Sequence, residues 1–397
     1  MKKVLGILVA IVIMASSFAG FSVSATEVLS GGFVVDGTVL VWYEGPGGDI
    51  VVPDGITEIE GYAFYGSGAT SIVIADSVTT ITDRVFAGCS FLKSITFGAG
   101  IESIDFDTLF YAGEIEEINV SADNKQYSSL DGVLFDKEKT TLVRYPDAKS
   151  DSEYTIPDGI VTIGYRAFYS CEFITSVSMP DSVKTIGEDA FPFCYSLVSI
   201  NIPNGVTSVG DNAFYQCYLL ESINIPSGLT VINSGAFSVL TSVKTMTIPD
   251  GVTTIEDQAF IWCTSLKSIS IPDSVETIEH HAFLGCELLA FVYIPDSVTY
   301  MGDASDPVTK FVPFDSATTL IVNEGSYAHE WAIENEHPYV LSSILSFDDV
   351  VDVYELLKLI TYEVPLSAAQ VTAADVSGDS KVNCVDALTI LKYVMNK

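Results

Sequence analysis

Seven prolines (Pro157, Pro180, Pro203, Pro226, Pro249, Pro272 and Pro295) stand 23 residues apart, and the Ala-Phe pairs ending at Phe168, Phe191, Phe214, Phe237, Phe260 and Phe283 keep the same step. A period of this length, held so strictly, belongs to a stack of small supersecondary units, because one such unit cannot bury its own apolar face. Upstream, Phe64, Phe86 and Phe110 step by 22 and 24 residues, so an earlier block shares the unit. Within one unit, residues 252–255 and 268–271 alternate polar and apolar, which predicts two short strands with one buried face. Ala259, Phe260, Cys263 and Leu266 then point inward between them. Pro272-Asp273-Ser274 is turn chemistry, since proline fixes φ and aspartate bonds its own backbone. The fold class expected is mainly β: a solenoid of coils of about 23 residues, closed by a small all-α module at the C-terminus.

Hydrophobic residues make up 48% of the 397, which excludes disorder and supplies a long core. The formal charge of -34, from 52 acids against 18 bases, repels nucleic acid and anionic membranes. Lys2 and Lys3, an apolar stretch over 4–14, and small residues at Val23 and Ala25 predict an export signal cleaved before Thr26; an uncleaved anchor is the alternative. No membrane insertion is expected after cleavage, and the product should be extracellular, or at the cell surface through a partner. The divisions expected are a signal peptide over 1–25, a capping hairpin over 26–52, a first repeat block over 53–120, a hairpin insertion over 121–154, a second block over 155–318, a closing cap over 319–340 and a last domain over 341–397. The insertion would project from the stack, as a contact site or as a plain structural insert. The closing cap should hold a strand over 320–322 and a helix over 327–335.

The run Ile271-Pro-Asp-Ser-Val-Glu-Thr-Ile-Glu-His-His-Ala-Phe-Leu-Gly-Cys286 resembles the BspA-type leucine-rich repeat, over residues 50–340. That resemblance implies a bacterial surface or secreted protein that binds host proteins, matrix proteins or other cells. The strand before each proline would face outward through Ser199 and Asn201, Ser222 and Asn224, Thr245 and Thr247, and Ser268 and Ser270. This ladder of small polar groups suits a protein strand, a glycan or water. Phe291 and Tyr293 follow in the same register, as a stacking site for a sugar ring or apolar side chain, or as a surface covered by the closing segment. Cys171, Cys194, Cys217, Cys263 and Cys286 share one coil position with Leu240 and, in the first block, Cys89. Replacement by leucine marks an apolar slot, so these read as small buried hydrophobes; whether any of them pair stays open. No metalloprotease, phosphate-loop, dinucleotide or nucleophile-elbow pattern occurs, and the expectation is that the chain is not an enzyme.

After Leu341 the period stops. Asp375, Ser377, Asp379, Asn383 and Asp386, with the Lys381 carbonyl, fall at positions 1, 3, 5, 9, 12 and 7 of a twelve-residue loop suited to calcium. Asp352-Val-Tyr-Glu-Leu-Leu-Lys358 echoes Asp386-Ala-Leu-Thr-Ile-Leu-Lys392, 34 residues on. Two such loop-helix segments resemble a type I dockerin. The resemblance implies docking onto a cohesin module of a scaffold protein, with Cys384 and Val385 at the positions that select the cohesin. Ser380 replaces the usual loop glycine, and Leu341, Ser343 and Leu345 in the upstream copy leave one working loop. The function expected is a secreted, non-catalytic binding or adhesion protein for protein or glycan ligands, held on a scaffold. The alternative is a structural accessory subunit of a cellulosome-like complex.

Overall fold

The computed structural model describes residues 26–104, 106–109, 112, 114–302 and 312–342. These fall in two units, one drawn from residues 26–92 and 97–112, the other from residues 93–96 and 114–342. Both are β-solenoids of stacked coils. The expected signal peptide over 1–25, and the expected last domain apart from residues 341 and 342, lie outside the described residues.

In the first unit, strands Glu27–Leu29, Phe33–Asp36 and Val39–Tyr43 pair antiparallel and form a cap. The third of these strands then starts a parallel ladder through Glu58–Ile59, Thr80–Ile81 and Ser103–Ile104. Strand Gly48–Val51 leaves the cap and pairs parallel with Ala69–Val73, so the segment 33–52 serves two ladders rather than one hairpin. Phe64 and Phe86 stack at 5.9 Å inside, and Tyr43 covers Phe64 at 5.4 Å.

In the second unit each coil has three edges. One edge pairs Thr141–Arg144, Thr162–Ile163, Thr185–Ile186 and Ser208–Val209 in parallel. A second pairs Glu153–Thr155, Ser176–Ser178 and Ser199–Asn201. On the third, the turn around each Ala-Phe pair donates N–H groups to the following coil, as Phe191 does to Ala213 (2.7 Å) and Phe193 to Tyr215 (2.9 Å). Between the edges runs a column of fully buried rings: Phe168, Phe191, Phe214, Phe237, Phe260, Phe283 and Phe314. Their successive centroid spacings are 4.6, 5.3, 5.7, 5.8, 5.1 and 4.9 Å, all within 14° of parallel.

The third edge requires backbone that side chains resist. The residue before each alanine takes positive φ (Arg166, Asp189, Asn212, Gln258, His281), and so does the second residue after each phenylalanine (Ser170, Phe193, Gln216, Val239, Trp262). Gly235 and Gly285 fill two of these places without strain. Elsewhere the left-handed conformation costs about 1–2 kcal/mol per residue, and most for a β-branched side chain. Val239, at φ 59°, is the clearest case. Val239→Asn should therefore raise the unfolding free energy by about 0.5–1 kcal/mol, read as a higher denaturant midpoint.

The cysteine slot has a reason beyond apolar packing. The thiols of Cys194, Cys217, Cys263 and Cys286 donate to the carbonyls of Phe168, Phe191, Phe237 and Phe260 at 3.1, 3.1, 3.2 and 3.3 Å. A weak donor in an apolar slot suits a buried carbonyl there. All six described cysteines are free and buried. Burial pushes the thiols of Cys171 and Cys194 well up, so neither is a nucleophile.

The insertion differs from the sequence reading. Strands Tyr127–Leu130, Val133–Asp136 and Thr141–Arg144 pair antiparallel, and the last continues in parallel into the coil ladder. It lies in the sheet instead of projecting, because Val133, Leu134, Phe135, Leu142, Val143 and Tyr145 are all buried.

At the far end, strands Phe291–Tyr293, Thr319–Val322 and Tyr339–Leu341 pair in parallel, and helix Tyr327–Glu334 lies between the last two in sequence. Ser326 caps the helix by accepting the His329 N–H. Ala328, Trp331 and Ala332 are buried, and the Trp331 indole donates to the Gly302 carbonyl at 3.3 Å. His337 is buried too, its Nε2 3.0 Å from the Thr318 carbonyl. Burial lowers its pKa from the ordinary value, while the bond to Thr318 and the charge of Asp315 push weakly the other way. The unfolded chain takes up this proton near pH 6.5 and the folded chain only at lower pH, so stability falls as pH drops below about 6.5. The melting temperature should fall between pH 7.5 and 5.5, and His337→Gln should flatten that slope.

Candidate ligand-binding surfaces

The outward residues of the second edge are placed unevenly. Ser199, Asn201, Thr245 and Thr247 are exposed, and Ser268 and Ser270 are half-buried. Thr245 faces Ser268, and Thr247 faces Ser270, in parallel register. Ser222 and Asn224 are not in a strand; Ser222 makes a single bridge to Ser199. The Asn224 amide is occupied instead, accepting from the Ile202 N–H at 2.9 Å and donating to the Ile202 carbonyl at 2.6 Å. The polar ladder is therefore two short runs, interrupted where a side chain stands in for strand pairing.

Phe291 and Tyr293 are half-buried, flanked by Thr319 and Ile321 of the closing strand. Asn323 donates to the Tyr293 hydroxyl at 3.4 Å and to Asp296 at 2.9 Å. The closing segment covers part of this pair and its polar handle is already engaged. Asp375, Ser377, Asp379, Lys381, Asn383 and Asp386, with Cys384 and Val385, lie outside the described residues. Among the described residues no cluster of three His, Cys, Asp or Glu side chains could hold a metal ion. His280 and His281 are half-buried, and His281 Nδ1 lies 3.5 Å from Asp257 Oδ1.

A second surface follows from the third edge. Phe193 meets Tyr169 at 5.4 Å and Tyr215 at 5.3 Å, both edge to face. Tyr195 stacks on Tyr218 at 5.3 Å and 4°. Arg166 lies 4.7 Å over the Tyr165 ring and 5.6 Å over Tyr169, and its Nε is 3.2 Å from Asp189. The Gln216 amide donates to the Tyr215 hydroxyl at 2.8 Å. Desolvation, then Tyr218, Tyr215 and Glu172, raise the Tyr195 phenol, which stays a neutral donor at physiological pH. This is a preorganised aromatic patch whose one cation is already paired. It suits an uncharged partner with both apolar and hydrogen-bonding groups.

The same coils and others carry large apolar side chains that the fold does not need. Two residues after the cysteine slot, Phe173, Leu219 and Leu288 are 51%, 52% and 51% exposed. Ser196, Ser242 and Ser265 hold the same place in other coils, so serine satisfies the geometry there. In the first unit the equivalent Phe91 is 66% exposed. Sequence reading missed these residues, although writing the coils one beneath another exposes the substitution.

The BspA type leucine rich repeat region family matches residues 48–138, 147–267 and 207–305, in six copies. No enzymatic family is indicated. A leucine-rich repeat protein from Eubacterium ventriosum is similar in structure, with a TM-score of 0.55 and 23% identity, covering 74% of this chain and 95% of that one. A leucine rich cell surface protein from Faecalibacterium prausnitzii aligns with a TM-score of 0.40 at 22% identity, over 80% of this chain and 98% of that one. A leucine rich repeat protein of T. pallidum aligns at 29% identity and a TM-score of 0.40, over 46% of this chain and 85% of that one. No curated protein matches the chain. No described helix is long and apolar enough to cross a membrane. With the family matched over more than half its length and the coil geometry to go with it, the chain belongs to the BspA-type leucine-rich repeat family.

Proposed function

We propose that the chain is a non-catalytic extracellular binding protein that holds a protein or glycan ligand on the turn edge of its coils. The observation that carries this reading is the exposure of Phe173, Leu219 and Leu288 at a place where serine serves other coils equally well. Large apolar side chains at such a place raise the risk of aggregation and are retained where a partner covers them. The adjoining rings of Tyr169, Phe193, Tyr195 and Tyr215 add aromatic contact area at little entropic cost. The thiols of Cys171 and Cys194, buried and pushed well up by desolvation, offer no nucleophile to this surface, which fits binding rather than turnover.

Export by residues 1–25 and attachment through 341–397 complete the proposal. Asp375, Ser377, Asp379, Asn383, Asp386 and the Lys381 carbonyl would hold calcium, and Cys384 and Val385 would contact a cohesin. Calcium titration of the full chain tests the attachment: binding present in the wild type and lost in Asp375→Ala supports it, and no calcium binding removes it. A glycan array and a panel of matrix proteins test the ligand surface. At least one ligand should bind the wild type and lose about tenfold or more in affinity in the pair Phe193→Ala with Tyr195→Ala. A ligand whose affinity ignores these rings and the 245–270 ladder would place recognition elsewhere.

A further inference from the structure

We infer that the second unit contains a hinge seam between coil 203–225 and coil 226–248, about which its two halves open along both strand edges while the turn edge holds. Three observations meet around this junction. The first edge stops at Ser208–Val209 and restarts at Val231–Ile232, with no pairing between them. The second edge stops at the Ser199–Ser222 bridge and restarts at Thr245–Thr247. Among the described junctions of this unit, this is where both strand edges lapse together. The ring column is also at its widest around this coil, 5.7 Å from Phe214 to Phe237 and 5.8 Å from Phe237 to Phe260, against 4.6 Å from Phe168 to Phe191.

The hydrogen bonds say which side stays shut. One coil later, the amides of Thr253, Glu256 and Lys267 donate across the junction to Thr230, Ile232 and Lys244, each at 2.8 or 2.9 Å. The corresponding amides of Thr230, Asn233 and Lys244 make no such bond. On the turn edge the bonds remain: Asn212 to Ser234 (2.9 Å), Phe214 to Ala236 (3.0 Å) and Gln216 to Ser238 (3.3 Å). The hydroxyls of Ser242 and Thr241 clasp the Tyr218 carbonyl at 2.7 and 3.3 Å. One continuous edge, two open edges and a two-hydroxyl clasp make a hinge whose axis runs along the turns.

Ser182 and Ser274 bond the carbonyls of Ile160 and Val252 in the preceding coil at 2.7 Å each, an added tie that coil 226–248, with Gly228 at that place, does not make to its preceding coil. Coils 203–225 and 249–271 have Gly205 and Gly251 there and still pair, so the glycine removes a tie without by itself opening the edge. Coil 203–225 uses Asn224 to satisfy Ile202 on the side away from the seam. A nearest-neighbour stack separates first at its weakest interface, so residues 114–225 and 226–342 should behave as two cooperative blocks.

Native-state hydrogen exchange and urea unfolding of the full chain test this. Two sets of opening free energies should appear, dividing at the seam, with two unfolding transitions. Thr241→Val with Ser242→Ala should speed exchange of the Phe214 and Gln216 amides by about tenfold while leaving the Phe260 amide, away from the seam, unchanged. One transition, with uniform protection across 203–248 in both proteins, would overturn the hinge. So would a double variant that speeds exchange equally in every coil.

Discussion

Phe191→Ala should lower the unfolding free energy of the second unit by about 3–5 kcal/mol, at the upper end of what core truncation costs. The ring has no solvent exposure and is stacked between Phe168 at 4.6 Å and Phe214 at 5.3 Å. A globular core can partly collapse into a hole. Here it cannot, because the coils on either side are held on the first and turn edges, and on the second by strand pairing on one side and by the Ser199–Ser222 bridge and the Asn224 amide on the other. The void therefore persists, and its lining loses dispersion contacts on both faces. Urea denaturation, with the midpoint lowered and the slope unchanged for the transition of the block that holds Phe191, would register the loss. A cost under about 1 kcal/mol would mean that the ring column is a bystander to stability.

The second large effect is expected at the closing end. Trp331→Ala removes a buried indole packed beside His337 at 5.6 Å and its bond to the Gly302 carbonyl. The packing loss is about 3–5 kcal/mol, and the orphaned carbonyl adds to it. The change also uncovers apolar residues that a capping element hides, and uncapped repeat stacks associate end to end. Light scattering should show oligomers at concentrations where the wild type is monodisperse, together with a lower melting temperature. Trp331→Phe keeps most of the buried area and lacks the N–H, so it should cost about 1 kcal/mol and stay monodisperse. If alanine and phenylalanine behave alike, the indole is not what seals the end.

The repeat could be read from sequence because the same residue types return at the same step: the proline at each turn, Ala-Phe inside and the alternating strand before it. Those positions face the core, where every coil meets the same neighbours and needs the same side chain. The aromatic patch was not legible, for the opposite reason. Tyr169 and Tyr215 share one coil position, but Pro192 stands there in the coil between them, and Phe193 reaches both from the next position. The insertion was misread as projecting because its strands, buried on both faces, show no alternation to mark them as part of the sheet. Asn224 looked like one more outward polar group, and nothing in its spacing shows that its amide turns back onto Ile202. His337 gave no signal beyond its place before Pro338, since its burial comes from a closing segment whose path local sequence does not fix.

The two columns of left-handed residues restrict how such a chain can change length. A one-residue insertion between Gln258 and Trp262 would move a strained conformation onto a position that neither precedes the alanine nor follows the phenylalanine, and would break register with the coils on both sides. Duplicating or deleting one complete rung leaves every neighbour relationship of the same kind in place. Growth of the 23-residue block is therefore quantised, and its history should be written in whole rungs, while the steps of 22 and 24 in the first block put single-residue changes outside these turns.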